Sequence, residues 1–145
     1  MPERTTMERA KRDLRAGKRP STAAGEFVRE EIEHIRRGQH GARNTRQAIA
    51  IGLSKARRAG VPLQPPAAGE AEEKTRRSAE RDYRVGQGRR PTAAEPRERR
   101  ASSHARSKVS TRVLKREGRS AASTRALSAH AKQTASRRTR RNRAH

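Results

Sequence analysis

The sequence predicts a mostly α-helical fold: a small three-helix unit at the N-terminus, with a remainder that is largely disordered or helical only on binding. Three observations predict it. Leu, Ile, Val and Phe supply only fifteen of 145 side chains, whereas a highly charged chain needs about 20% of them to fold throughout. Alanine, which favours helix but buries little area, makes up more than half of the hydrophobic residues. The formal net charge is +23, so self-repulsion opposes a compact state. The expected organisation is a helical domain over 1–63, a Pro/Gly/Arg-rich linker over 64–100 with at most a solvated helix, and a basic Ala/Ser/Arg-rich tail over 101–145.

The first helix begins at a capping box, Thr5 with Glu8 three residues on. Met7, Ala10 and Leu14 share its face, and Gly17 is placed to end it. Pro20 then reads as a break, with Ser21 or Thr22 as the next N-cap. The second helix, about Ala23 to Arg37, puts Ala24, Val28, Ile32 and Ile35 on one face with Phe27 at its edge. Glu26, Glu30 and Glu33 fall on the opposite side, Glu33 pairing with Arg37 one turn later. After the glycine-punctuated turn 38–43, Asn44 or Thr45 caps a third helix, Gly60 stops it and Pro62 prevents continuation. Its apolar arc is Ala48, Ile49, Gly52, Leu53, Ala56 and Ala59. The three helices would bury Met7, Leu14, Phe27, Val28, Ile32, Ile35, Ile49 and Leu53, with Ile51 facing away.

The run Arg46-Gln47-Ala48-Ile49-Ala50-Ile51-Gly52-Leu53-Ser54-Lys55-Ala56-Arg57-Arg58-Ala59-Gly60 resembles the signature of a family of small, basic bacterial proteins. That family is catalogued as a domain of unknown function, and its members are often labelled plasmid stabilization proteins. The stretch Pro20 to Thr45 is similar to the same proteins, so the likeness spans about residues 3–63, and Leu114 to Ala122 looks like their tails. The label implies a DNA-associated role. It brings no catalytic residues.

Beyond Val61 three prolines in five positions mark an extended connection. Residues 70–84 read as a solvated helix of mixed charge. The stretch Gly17 to Glu26 is echoed at Gly88 to Glu95, which reads as a shared helix-start grammar. In the last 45 residues thirteen Lys and Arg face a single acid, Glu117, while Ala105, Val109 and Val113, then Ala122, Ala126 and Ala129, share short helical faces. This composition resembles linker-histone tails.

No chemistry of catalysis emerges. Cysteine is absent, so there is neither a disulfide nor a thiolate site. Glu31 and His34 form one Glu-x-x-His step, but a helical-bundle metal site needs a second. His34, His40, His104, His130 and His145 lack ligand spacing and read as surface groups. Gly86-Gln87-Gly88 is too short for a nucleotide fingerprint, and no serine sits in a nucleophile elbow. No enzyme, cofactor or metal is expected. No apolar run approaches a membrane span and no secretory signal opens the chain, so a cytoplasmic, nucleoid-associated protein is expected.

A polyanion is the partner that the charge calls for. The candidate nucleic-acid contacts are Arg46, Lys55, Arg57 and Arg58 in the third helix. In the tail they are Arg112, Lys115, Arg116, Arg119, Arg125, Lys132, Arg137, Arg138, Arg140, Arg141 and Arg143. With one Phe and one Tyr, stacking platforms for single strands are nearly absent, which favours duplex DNA read through phosphates without sequence specificity. Two alternatives stand beside it: an interaction module of a plasmid-maintenance or antitoxin-like system, using the 44–60 helix for a protein partner or self-association, and an RNA- or ribosome-associated basic protein.

Overall fold

The computed structural model of the chain describes residues 2–88 and 108–143. Its elements are α1 (Arg4–Arg15), α2 (Pro20–Arg36), α3 (Thr45–Arg58), α4 (Glu73–Gly86), a helix α5 that includes residues 108–116, a single 3-10 turn (Ser120–Ala122) and α6 (Thr124–Arg143). The described residues are mostly helical and hold no strand; one isolated bridge joins Ala68 and Ala71. No described helix is long and apolar enough to cross a membrane.

Local signals explain where these helices start and stop. Asn44 caps α3 as its side chain predicts, accepting from the Gln47 amide at 2.9 Å. Gly60 lies past its end at φ +98°, and Gly17 past α1 at φ +74°, a conformation that only glycine adopts without strain. The expected capping box at Thr5 does not form: α1 starts two residues earlier behind Glu3, with no side-chain cap. Pro20 is not a break but the first residue of α2, where its fixed φ suits a helix and its missing N–H is not needed.

Packing centres on α2, which lies between α1 and α3, while α4 covers the other side of α3. One core cluster joins Ala10, Ala23, Ala24, Phe27, Ala56 and Val61, with Met7, Leu14 and Leu53 at its margin. Phe27 is buried rather than at an edge, and its ring contributes about 2–3 kcal/mol. Small residues let α2 and α3 approach closely. A Cβ on Gly52 would stand 2.7 Å from Val28 Cα, so a side chain there cannot enter without moving a helix. Ile49, expected in the core, is only half-buried.

The expectation of a small three-helix unit, with a remainder largely disordered or helical only on binding, is corrected in two places. α4 is not simply solvated: it buries Ala79 and Asp82 against α3. The second core cluster, Ile32, Ile35, Ala42 and Ala48, is completed by Ala121 and Ala122, with Leu127 at its margin. Polar bonds fasten this late segment to the α2–α3 turn. Gly41 N donates to Leu114 O at 2.7 Å, Ala42 N to Gly118 O at 3.1 Å, Thr45 Oγ1 to Ala121 O at 2.6 Å and Arg36 Nε to Ala122 O at 2.9 Å. A helical face of alanines predicts little burial, and backbone bonding supplies what the side chains lack. The echo at Gly88 to Glu95 lies, after Gly88, outside the described residues, as does Ala105; Val109 and Val113 are exposed.

Candidate nucleic-acid interface

The expected basic residues divide by helix. In α3 only Arg46 stands exposed without an acid in contact. Lys55 Nζ donates to the buried Glu31 Oε2 at 2.5 Å. Arg57, 8% exposed, turns its guanidinium onto the carbonyls of Leu63 and Gln64 at 3.2 and 3.3 Å and holds the extended connection after α3. Burial lowers the pKa of Arg57 and nearby Asp82 pulls it back up. Arg58 Nε reaches the buried Asp82 at 2.6 Å, and Ser54 Oγ donates to the other oxygen of the same carboxylate. Three of the four α3 candidates are thus engaged in bonds within the chain, although the Arg58 side chain stays 63% exposed.

In the C-terminal segment the cations face outward. Arg112, Lys115, Arg116 and Arg119 are exposed around α5 and the 3-10 turn, Arg119 touching the Arg36 carbonyl at 3.5 Å. Along α6, Arg125, Lys132, Arg137, Arg138, Arg140, Arg141 and Arg143 are all exposed, and the helix contains no acid. Among the described residues, only Arg141 of these meets a carboxylate, Glu70, at 3.7 Å. The first turns of α6 dock through Ala126 and Leu127, and residues 131–141 are fully on the surface. At 3.6 residues per turn, Lys132, Arg140 and Arg143 fall on one side of this stretch, and Arg137, Arg138 and Arg141 on the other. Thr134, Ser136 and Thr139 bond back to the carbonyls four residues earlier, so the hydroxyls are satisfied within the helix.

A polar cluster missed at the sequence level lies inside the fold. Glu30 and Glu31 are buried, against the expectation that Glu30 faces solvent. His34 and His40, which read as unrelated surface groups, come together around them. His40 Nε2 stands 2.6 Å from Glu31 Oε1, and His34 Nε2 stands 3.2 Å from Glu3 Oε1 and 3.9 Å from Glu30 Oε1. Glu31, His34 and His40 each present one donor atom within 4.8 Å of the others. The first two share a face of α2; the third arrives from the turn, a placement that linear spacing does not encode.

No family model matches the chain, and neither a curated protein nor a solved structure is significantly similar to it.

Proposed function

We propose that this protein binds duplex DNA, without enzymatic action and largely without sequence preference, through phosphate contacts made by α6. The observation that carries the reading is the exposure of seven Lys and Arg on a helix without acids. A helix about 10–12 Å across fits a major groove of about 12 Å, and a groove has two phosphate walls. Cations on opposite sides of the same cylinder can reach both. The resemblance of residues 3–63 to plasmid stabilization proteins agrees with a role on DNA, in the nucleoid or in plasmid maintenance.

The protein-interaction alternative would rest on the half-buried Ile49, Leu53 and Ala59, because Ala48, Gly52 and Ala56 of the same arc are buried within the chain. Binding of the full chain to a duplex across a salt series tests the proposal. For six neutralised phosphates, log affinity is expected to fall with log salt at a slope of about −5. A slope near zero, or preference for structured RNA of equal length, overturns it.

A further inference from the structure

We infer that Glu31, His34 and His40 form a binding site for a first-row divalent cation, of which Zn2+ is the best match. The argument begins with His40. Its Nδ1 stands 3.0 Å from the Gly41 carbonyl oxygen. A carbonyl can only accept, so Nδ1 carries hydrogen, and the Nε2 lone pair of the neutral ring is aimed at Glu31 Oε1, 2.6 Å away. Two lone pairs at that distance require positive charge between them, either a proton or a metal ion. An imidazole that donates its far N–H to a backbone carbonyl is the arrangement by which proteins fix a metal-binding tautomer.

Burial supplies the second observation. Glu31 is 1% exposed, and its Oε1 lacks a hydrogen-bond donor, as does Oε1 of the neighbouring Glu30. Buried carboxylate oxygens without partners are costly and rare. Among the described residues, the buried carboxylates of Glu30 and Glu31, with the half-exposed Glu3 at the rim, face the single ammonium of Lys55 on Glu31 Oε2. A divalent cation balances that set. In a chain of net charge +23, this is a pocket of opposite sign.

The donor set selects the ion. Two imidazoles and a carboxylate, with no thiolate in the chain, suit Zn2+ over Ca2+ or Mg2+. Zn–N and Zn–O bonds of about 2.0–2.2 Å place neighbouring donors about 3.3 Å apart around a tetrahedral ion. The Glu31–His40 contact therefore opens slightly on binding, which the glycine-flanked turn 38–41 permits. Lys55 holds Glu31 Oε2 and leaves Oε1 as a single-oxygen ligand. A water from the partly exposed His40 side completes the shell.

The test is calorimetric titration of tag-free, chelator-treated full chain with ZnCl2. One ion per chain is expected. Glu31→Gln and His40→Gln should each weaken binding by more than about 100-fold, beyond the range of outer-shell changes. His130→Gln, on α6, should leave it unchanged. Because a core substitution can disturb folding, histidine side-chain NMR of the wild-type protein provides a measurement without mutation: zinc should shift the His34 and His40 resonances together and spare His130. Absence of stoichiometric binding, retention of affinity in both variants, or equal shifts at all histidines overturns the site, and means that a shared proton joins Glu31 to His40.

Discussion

α3 and α6 are both basic helices, yet they spend their charge in opposite ways. In α3, Lys55 and Arg58 meet buried carboxylates and Arg57 meets carbonyls, so the cations act as internal fasteners. In α6, seven cations face water, with one long contact to Glu70. Twelve of the fifteen acids lie in residues 1–88, where the helices pack most closely. The difference teaches that the availability of a basic side chain is decided by the acids and carbonyls within its reach. A run of Arg and Lys is therefore not by itself an interface.

The comparison is broken most severely by changing Arg137, Arg138, Arg140, Arg141 and Arg143 to Gln. DNA affinity near 0.1 M salt is expected to fall about a thousandfold or more, and the salt slope to flatten by about 4. Filter binding or fluorescence anisotropy reads both. Helix content should hold, since glutamine is nearly as good a helix former as arginine.

Lys55→Met should do the reverse. It strands the buried Glu31, and because the Lys55 side chain is a quarter exposed the loss of stability is expected at about 2–3 kcal/mol, below that for a fully buried pair. Urea unfolding measures the loss, while the DNA salt slope stays as in wild type. A slope that drops by a full contact would return Lys55 to the interface.

Gly52→Ala tests the close approach of α2 and α3. A clash with Val28 costs about 1–3 kcal/mol, partly offset by about 1 kcal/mol of helix propensity. Thr45→Val removes the donor to the Ala121 carbonyl and is expected to cost about 1 kcal/mol, with faster amide exchange confined to residues 119–127. The smallest effect belongs to α4. Arg76 and Arg77 hold the Glu73 carboxyl below the ordinary carboxylate value. The resulting stability is fully present above that ordinary value and is lost as pH falls through the depressed one. Glu73→Gln should thus lower the unfolding midpoint slightly at neutral pH, and the difference should vanish on acidification.

How much of this was legible follows from what periodicity records. The α2 and α3 helices were readable because Ile32, Ile35, Ala48 and Ala56 repeat at helical spacing, and because Asn44 and Gly60 punctuate the chain. Burial of Glu30 and Glu31 was not readable, since acids on a helix count as a solvent face until a partner is known. The partner of Glu31 on α3 lies 24 residues away. The docking of Ala121 and Ala122 was hidden for another reason. Their contribution is made largely by backbone carbonyls, and every residue has one of those. Among the basic residues, side-chain type singled out the α6 cations, but only tertiary geometry shows that Lys55, Arg57 and Arg58 bond within the chain.

The bond from Thr45 to Ala121 spans 76 residues, and its consequence is one of timing. A chain that grows from its N-terminus makes α2 and α3 long before residues 121–127 exist. Until they emerge, the pocket of Ile32, Ile35, Ala42 and Ala48 lacks its cover. Closing so wide a loop is slow compared with forming a helical hairpin. The half-made protein therefore presents an unsealed apolar seam on the ribosome, and the segment that carries the exposed cations is also the one that seals it.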